Sequence, residues 1–462
     1  MRLPAPLLLI LGPLLPALLT AIIRRWPRVA AAVGSASALL LWRFIAVVPL
    51  APHQPPTLGL FAGDTLTLLG RSLVLTEGVR LAFALLFAGL AVLLLLAVWL
   101  PQGSDFIPAS LTVLALLSAA IMARPFSFGV LLLLAAAAVS TAVIQANLPS
   151  SSDAALRYLV FVALATPLFL VAGWMLDSGQ LSLQSAVWRL LLVGFAMLLA
   201  GFPFYVWVRP IVLTASSLTP AFQFGLMQFA QFMMVLALLR ENNWVADVPS
   251  FLSLLRWSGL LTLVLGGALA LTSRNAGSVL GSLLLLDMGA VLMLLTMGSD
   301  GAGVALTALL TRFGALISAG VGITVLHRSR QQENHTLSWW LGLAAFLYGA
   351  LSLAGFPLTP GFAPRWGLVT LLAREAGGWR WVGLVLLSVA AGVGGLVKCG
   401  RSLAEMPADP LQLTRSWREV VSWPAILALV LLLLSGVALA LFPHIITRQA
   451  AELVTLLARS GN

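Results

Sequence analysis

The sequence predicts an all-α, polytopic transmembrane protein of about 14 helices, and three observations support this fold class. Of the 462 residues, 60% are hydrophobic and only 9% are charged, against roughly 25% charged residues in ordinary soluble domains. The apolar runs are long and unbroken rather than alternating, which favours helices over a β-barrel. In lipid, only helices and closed barrels satisfy the polar groups of the backbone.

Apolar runs of about 20 residues place these helices along the chain. The predicted spans lie near residues 3–24, 28–50, 80–100, 106–123, 125–147, 156–178, 185–207, 219–240, 251–272, 276–297, 301–327, 338–373, 379–402 and 421–442. The stretch 338–373 is long and contains prolines, so it is either one broken helix or two shorter helices.

The distribution of basic residues predicts the orientation. Tufts at 24–28, 327–330 and 398–418 follow odd-numbered predicted spans, and short basic segments stay on the cytoplasmic side. With an even number of spans, both termini are then external. Residues 51–79 are expected to form an external loop with a small hairpin. The tail 443–462 is either an amphipathic interfacial helix or a frayed terminus.

Several function classes are excluded by composition. The formal charge of +11 comes from tufts between apolar runs, without the aromatic-interleaved basic face of a nucleic-acid-binding protein. Cys399 is the only cysteine, and the histidines (His53, His327, His335 and His444) lie at or beyond the ends of apolar runs. Neither an iron–sulfur site nor a bis-histidine haem has visible ligands. No Walker A or Rossmann fingerprint is present.

A short motif occurs twice within apolar runs. Ala200-Gly201-Phe202-Pro203 recurs as Ala354-Gly355-Phe356-Pro357. Proline removes a backbone hydrogen bond inside a helix, and interrupted spans at corresponding places of two halves are typical of transporter ion paths. Gly201, Pro203, Gly355 and Pro357 therefore predict two broken helices. The alternatives are simple kinks for packing or a chance match.

Four ionisable residues fall inside predicted spans: Asp287, Arg312, Arg365 and Lys398. A charge at the bilayer centre costs at least about 2.5–3.5 kcal/mol, so each needs a partner or a function. Aspartate and lysine can relay protons, whereas arginine supplies only fixed positive charge. Asp287 could instead pair structurally with Arg312, and Lys398 could extend to the cytoplasmic surface.

The run 351–365, Leu-Ser-Leu-Ala-Gly-Phe-Pro-Leu-Thr-Pro-Gly-Phe-Ala-Pro-Arg, resembles a segment of antiporter-like subunits. These subunits occur in respiratory complex I, membrane-bound hydrogenases and Mrp-type cation/proton antiporters. In that family a Gly-hydrophobic-Pro break and Gly-Phe precede a lysine, so the resemblance adds Pro360 and Gly361 to the predicted break. Pro203–Trp207 and Ser273–Gly289 also resemble segments of that family. Arg312–Ala315 and Gly436–Pro443 are most similar to the N-type subunit and next to the M-type.

The resemblance implies a fold of 14 helices with two inverted five-helix repeats, each containing a broken helix. The chain would then divide into N-terminal helices (1–105), a first repeat (106–240), a second repeat (251–402) and a C-terminal helix with tail (403–462). The family function is proton transfer along a polar axis, driven by redox chemistry in partner subunits.

The sequence departs from the family at most proton-relay positions. The predicted fifth helix has no acidic residue, and no lysine precedes Lys398. Gln231 stands near a family lysine, and with Gln223 and Gln228 it would hold either a water chain or interhelical hydrogen bonds. Asp287 replaces a histidine, and Arg365 replaces the lysine of the second break. The resemblance therefore implies a proton path in the second half only.

The sequence thus predicts a diverged antiporter-like membrane-arm subunit of a complex I-like quinone oxidoreductase, contributing to proton translocation or structural coupling. The alternatives are a subunit of a multi-subunit Na⁺/H⁺ antiporter and a non-pumping structural subunit. No cofactor is expected in this chain; quinone, iron–sulfur clusters and flavin are expected only in partner subunits. The expected location is a bacterial inner membrane, with other membrane-arm subunits as partners and no nucleic acid.

Overall fold

The computed structural model describes residues 2–47, 61–63, 65–68, 70–100, 102–145, 151–330, 337–405 and 423–459. Nearly all of these residues are helical. The helices are α1 (Ala5–Ile22), α2 (Pro27–Val47), α3 (Glu77–Ala97), α4 (Phe106–Met122), α5 (Phe126–Gln145), α6 (Ser152–Asp177), α7 (Gln184–Leu198), α8 (Val208–Thr214), α9 (Thr219–Ala221), α10 (Gln228–Glu241), α11 (Asn243–Ala246), α12 (Pro249–Thr272), α13 (Ala276–Leu295), α14 (Gly298–Arg330), α15 (Leu337–Ala354), α16 (Phe362–Ala373), α17 (Trp379–Glu405), α18 (Trp423–Leu441) and α19 (His444–Arg459).

Among the residues that the structure describes, five short strands accompany the helices: β1 (Arg2–Pro4), β2 (Phe61–Gly63), β3 (Thr65–Leu68), β4 (Arg71–Val74) and β5 (Ala123–Arg124). β1 pairs with β2 in parallel, while β3, β4 and β5 form an antiparallel sheet. The small hairpin predicted within 51–79 is therefore present as β3–β4. The end of the predicted loop at residue 79 differs from the structure, because α3 already begins at Glu77. The Thr76 hydroxyl caps this helix by accepting a hydrogen bond from the Val79 amide.

Ten helices among the described residues are long and apolar enough to cross a membrane, and the count becomes 11 if a bent pair near the C-terminus is one span. That pair, Ile426–Leu441 and His444–Leu457, is bent by 71°. Three further apolar helices are shorter: Phe106–Met122, Gln184–Leu198 and Ser338–Ala354. The chain is therefore an integral membrane protein. The count of 14 and the two inverted repeats stay predictions.

The described chain forms two compact units. The first unit contains Met1–Trp207, Leu226–Arg256 and Gln449–Asn462, and the second contains Val208–Gly225 and Trp257–Arg448. In the first unit, consecutive helices α4, α5, α6 and α7 pack against one another, and α1 also packs on α4. In the second unit, α13 contacts α8, α14, α15 and α17. Every side chain from Val279 to Leu295 of α13 is buried, so this helix is the core of the second unit.

Both predicted helix breaks are present. α7 ends at Leu198 and helical structure resumes at Tyr205, while α15 ends at Ala354 and α16 begins at Phe362. The stretch 338–373 therefore contains two helical segments that are separated at residues 355–361. Each end is closed by an amide that reaches the carbonyl five residues earlier: Gly201 N–H to Ala196 O (2.7 Å) and Phe356 N–H to Leu351 O (3.0 Å). Such bonds satisfy the last carbonyls of a helix.

The two copies of Ala-Gly-Phe-Pro do not have the same backbone. In the first copy the left-handed residue at the helix end is Ala200, with φ 58°, and in the second it is Gly355, with φ 78°. A left-handed residue after the last helical turn is the usual helix end, and glycine takes it without a Cβ penalty. The left-handed residue and the amide that closes the helix therefore both come one residue later, relative to the motif, in the second copy.

Candidate functional site

Three charged side chains meet inside the second unit. Asp287 comes from the middle of α13, Arg312 from the middle of α14, and Arg365 from the first turn of α16, directly after the second break. Their residues are 7%, 1% and 6% exposed, respectively. This trio is called the ion cluster below. The sequence predicted each residue as a candidate, and the structure brings all three together.

Asp287 binds both arginines, one with each carboxylate oxygen. The Nε–H of Arg312 donates to Oδ2 at 2.6 Å, and Nη2 of Arg365 donates to Oδ1 at 3.3 Å. Nη2 of Arg365 also donates to the Leu353 carbonyl at 3.1 Å, near the end of α15. The break thus exposes a backbone carbonyl that the incoming arginine uses. Charge-assisted bonds of this kind are stronger than neutral hydrogen bonds.

The conformation of the break sets the position of Arg365. A Cβ on Gly355 would lie 2.6 Å from Cβ and 2.7 Å from Cγ of Arg365, so the arginine stem packs against the bare glycine. The Gly361 amide donates to the Ser352 hydroxyl at 3.1 Å, and the Arg365 amide donates to the Gly361 carbonyl at 3.3 Å. These bonds fix the start of α16 to the end of α15.

The ion cluster carries one more positive than negative charge, because two arginines share one aspartate. Within the part of the chain that the structure describes, Nε and Nη1 of Arg365 are buried and have no hydrogen-bond partner. A buried charge that is only partly compensated is costly. Arg365 therefore has two donors available for water or for a passing charge, whereas the two carboxylate oxygens of Asp287 are both occupied.

A cavity of about 80 Å³ lies beside the break in the second unit. Its hydroxyl groups come from Thr311, Ser318, Tyr348, Ser352 and Ser435, and the rest of its lining is mainly apolar. The Tyr348 hydroxyl is buried and has no partner among the described residues. Ser352 connects the cavity to the break, since its hydroxyl accepts the Gly361 amide. The cavity is large enough to hold water molecules. The sequence did not predict this cavity.

The other two predicted relay residues are not part of the ion cluster. Lys398 is exposed on α17, where it lines an open depression with Val397 and Arg401. Gln231 belongs to the first unit, is 1% exposed, and its Nε2 has no partner among the described side chains. Sequence reasoning missed a π-helical segment, Phe222–Met227, just before α10. Such segments occur frequently at functional sites.

No group of three or more potential metal ligands is found among the described residues. The histidines His53 and His335 lie outside the described residues, His327 lies near the end of α14, and His444 begins α19.

Sequence comparison finds respiratory-chain subunits as relatives. NADH-quinone oxidoreductase subunit N 2 of Solidesulfovibrio magneticus is 25% identical over 343 residues, which is 67% of this chain and 72% of that protein. NADH-quinone oxidoreductase subunit N of Shewanella woodyi is 27% identical over 271 residues, which is 52% of this chain and 57% of that protein. The chain thus matches little more than half the length of the second relative. No protein-family model matches the chain.

Solved structures match over almost the whole chain. A chain of the Mrp complex from Dietzia sp. DQ12-45-1b has a TM-score of 0.71 at 15% identity and covers 99% of this chain and 97% of that one. A chain of respiratory complex I from Thermus thermophilus has a TM-score of 0.70 at 19% identity, covering 95% and 99%. This chain has the fold of the antiporter-like membrane subunits. The resemblance expected from residues 351–365 is thereby confirmed, as is the similarity to the N-type subunit.

Proposed function

We propose that this chain is an antiporter-like subunit of a multi-subunit, complex I-like membrane assembly, and that its second half carries the proton-translocating groups. The observation that supports this function is the ion cluster of Asp287, Arg312 and Arg365, buried at the second helix break. Ionisable residues inside membrane proteins usually mark ion or proton pathways. Broken spans mark the same pathways in transporters.

The chemistry of the cluster assigns different roles to its members. Asp287 is the one group of the three that can accept and release a proton, because arginine stays protonated. Both oxygens of Asp287 accept hydrogen bonds from guanidinium groups, so protonation of Asp287 would weaken at least one of these bonds, because it removes the negative charge that strengthens them. The bond that would break first is the 3.3 Å bond from Arg365, because Nη2 of Arg365 also donates to the Leu353 carbonyl. Arg365 would thus alternate between Asp287 and the break.

The cavity beside the break supplies a route from this switch. Thr311 is the neighbour of Arg312 in α14, and Ser352 is the neighbour of Leu353 in α15. The three cluster residues do not themselves line the cavity, so a proton route through water in it would also need an opening at the break. Gln231 is the corresponding polar candidate of the first half, but as an amide it can order water and cannot relay a proton itself.

The relatives suggest the wider assembly. The sequence relatives described above are subunits of NADH-quinone oxidoreductases, so the electron carriers (flavin, iron–sulfur clusters and quinone) would lie in partner subunits and not in this chain. The proposed location is a bacterial inner membrane with both termini external. The proposed organisation keeps a first repeat at 106–240 and a second repeat at 251–402, between N-terminal helices (1–105) and the C-terminal helix and tail (403–462).

A second candidate function is a subunit of a multi-subunit cation/proton antiporter without redox partners. The observation that favours it is the likeness to the Mrp complex chain over 99% of this chain. Sodium-dependent proton exchange in cells lacking other antiporters distinguishes the two functions, because the complex I-like function predicts none. A purely structural subunit is the third alternative, and it predicts that no change at Asp287 alters proton movement in an assembled complex.

The test is the Asp287→Asn variant in the assembled complex, reconstituted into vesicles and assayed for proton uptake per electron. We expect a lower proton-to-electron ratio with normal electron transfer. Asp300→Asn is the matched control, because Asp300 is an exposed acid at the start of α14. If Asp287→Asn fails to assemble, the Asp287→Asn/Arg365→Gln double variant restores the original net charge of the cluster. An unchanged ratio in either assembled variant would refute the proposed path.

A further inference from the structure

Two cations lie side by side on the outer surface of α17. Lys398 and Arg401 are both exposed and are three residues apart, so their side chains lie on the same face of the helix. Ser402 adds a hydroxyl to the depression that these residues line. Like charges at this spacing repel each other by a few tenths of a kcal/mol. A bound anion would remove that repulsion.

Several arginines near helix ends are paired with carboxylates. Arg24 lies 3.7 Å from Asp105, Arg124 lies 2.9 Å from Glu241, and Arg157 lies 2.8 Å from Asp153. For Lys398 and Arg401, by contrast, no carboxylate lies within 4.0 Å among the side chains that the structure describes, which in α17 extend to Leu403. An anionic ligand at this surface would supply a counter-charge that these described side chains do not.

An apolar stripe leads along α17 to this pair. Leu387 is 67% exposed and Val397 is 50% exposed, while Ala390 and Gly394 between them are also exposed. At 100° per residue these positions fall on the same side of the helix as Lys398 and Arg401. From Leu387 to Lys398 is 11 residues, or roughly 16 Å along the axis at 1.5 Å per residue. One leaflet of the hydrocarbon core is about 15 Å thick.

The two cations therefore lie about one acyl-chain length from Leu387, at the end of a membrane-spanning helix. The depression beside them has a volume of about 400 Å³ and is bounded by Gly394, Val397, Lys398, Arg401 and Ser402. We infer that this surface, the α17 basic site, binds an anionic phospholipid. The phosphate would contact Lys398 and Arg401, with Ser402 donating a hydrogen bond, and an acyl chain would lie along Val397, Gly394 and Leu387.

A soluble anion would use the two cations but gain nothing from the stripe, so the combination favours lipid. Near a membrane surface, each added cation strengthens the attraction to anionic lipid about fivefold. Loss of both cations should weaken binding about 30-fold. The site is separate from the ion cluster, so its test does not depend on the proposed proton path.

The experiment is native mass spectrometry of the full-length protein in mild detergent, titrated with phosphatidylglycerol. The Lys398→Gln/Arg401→Gln variant is compared with Arg374→Gln/Arg380→Gln, which removes two exposed arginines before and at the start of the same helix. We expect about 30-fold weaker binding in the first variant and less than threefold in the second. Lys398→Arg/Arg401→Lys should bind like the original protein, which separates loss of charge from misfolding.

Two further arms identify the ligand. Phosphatidylcholine should bind far more weakly than phosphatidylglycerol, and inorganic phosphate at the same concentration should not compete. Equal binding of both lipids would overturn the inference, because the cations would then contribute nothing. Competition by inorganic phosphate would overturn it as well, since the ligand would then be a free anion. Equal affinity loss in both glutamine variants would show only a general effect of net charge.

Discussion

The charge of the ion cluster predicts an asymmetry between two single substitutions. Two arginines and one aspartate give the buried cluster a formal charge of +1. Asp287→Asn raises this charge to +2, whereas Arg365→Gln lowers it to zero. Removing one partner of a buried ion pair costs about 3–5 kcal/mol, because the other charge stays buried and uncompensated. We expect Asp287→Asn to lose this amount of stability and Arg365→Gln to lose less than half of it.

The assay is thermal stability of the detergent-solubilised protein, followed by the loss of the monodisperse peak in size-exclusion chromatography. For domains of about 150–250 residues, 1 kcal/mol corresponds to about 2–4 °C, so Asp287→Asn should lower the midpoint by roughly 10 °C. Arg365→Gln should lower it by about 4 °C or less. If Arg365→Gln is as harmful as Asp287→Asn, the packing of the arginine stem on Gly355 matters more than charge, and the electrostatic reasoning is wrong.

The remaining predictions concern the helix breaks, the first unit and the C-terminal helix. Gly355→Ala should lower stability by about 1 kcal/mol or more, because φ is 78° there and the new Cβ would displace the Arg365 stem. Ala200→Gly should be neutral or stabilising, because φ is 58° at a non-glycine residue. In the chromatographic thermal assay, a lower midpoint for Gly355→Ala and an equal or higher one for Ala200→Gly would confirm both, and a lower midpoint for Ala200→Gly would contradict the reasoning. Gln231→Lys should reduce folded yield, because it adds an unpaired cation at a site that is 1% exposed, and normal yield would show that the site is hydrated. Arg240→Ala should speed proteolysis of α19, because Nη1 of Arg240 donates to the Val454 carbonyl at 2.7 Å; an unchanged cleavage rate would show that this bond does not anchor the helix.

Much of the fold could be predicted because lipid constrains the sequence strongly. The long apolar runs located the helices, and the prolines with their adjacent glycines located both breaks. The sequence allowed two roles for Asp287, a proton relay or an ion pair with Arg312. The pair was plausible because both residues lie in the middle of consecutive predicted spans. The approach of Arg365 to Asp287 could not be predicted, because 78 residues separate them and only the tertiary packing of α13 and α16 decides that distance.

Other features left no sequence signal. Lys398 falls near the end of an apolar run, and the same pattern is compatible with a buried relay or an exposed cation; the structure places it on the exposed face of α17. The π-helical segment Phe222–Met227 cannot be read from hydrophobic periodicity, because it is only six residues long and is followed directly by the α-helix α10. The span count depends on similar cases, since α4 (17 residues) and α7 (15 residues) are apolar but shorter than the roughly 20 residues of a typical transmembrane helix.

The two copies of Ala-Gly-Phe-Pro contain a further lesson about alignment. The left-handed residue is the alanine in one copy and the glycine in the other, so identical letters follow two chain paths. Because the two tetrapeptides are identical, they cannot determine the difference in backbone conformation. The flanking residues must determine it. A comparison of the two halves that superposes these letters is out of step by one residue in three dimensions. Positions after each break should therefore be aligned by their backbone conformation. Only such an alignment can identify a counterpart of Arg365 in the first half.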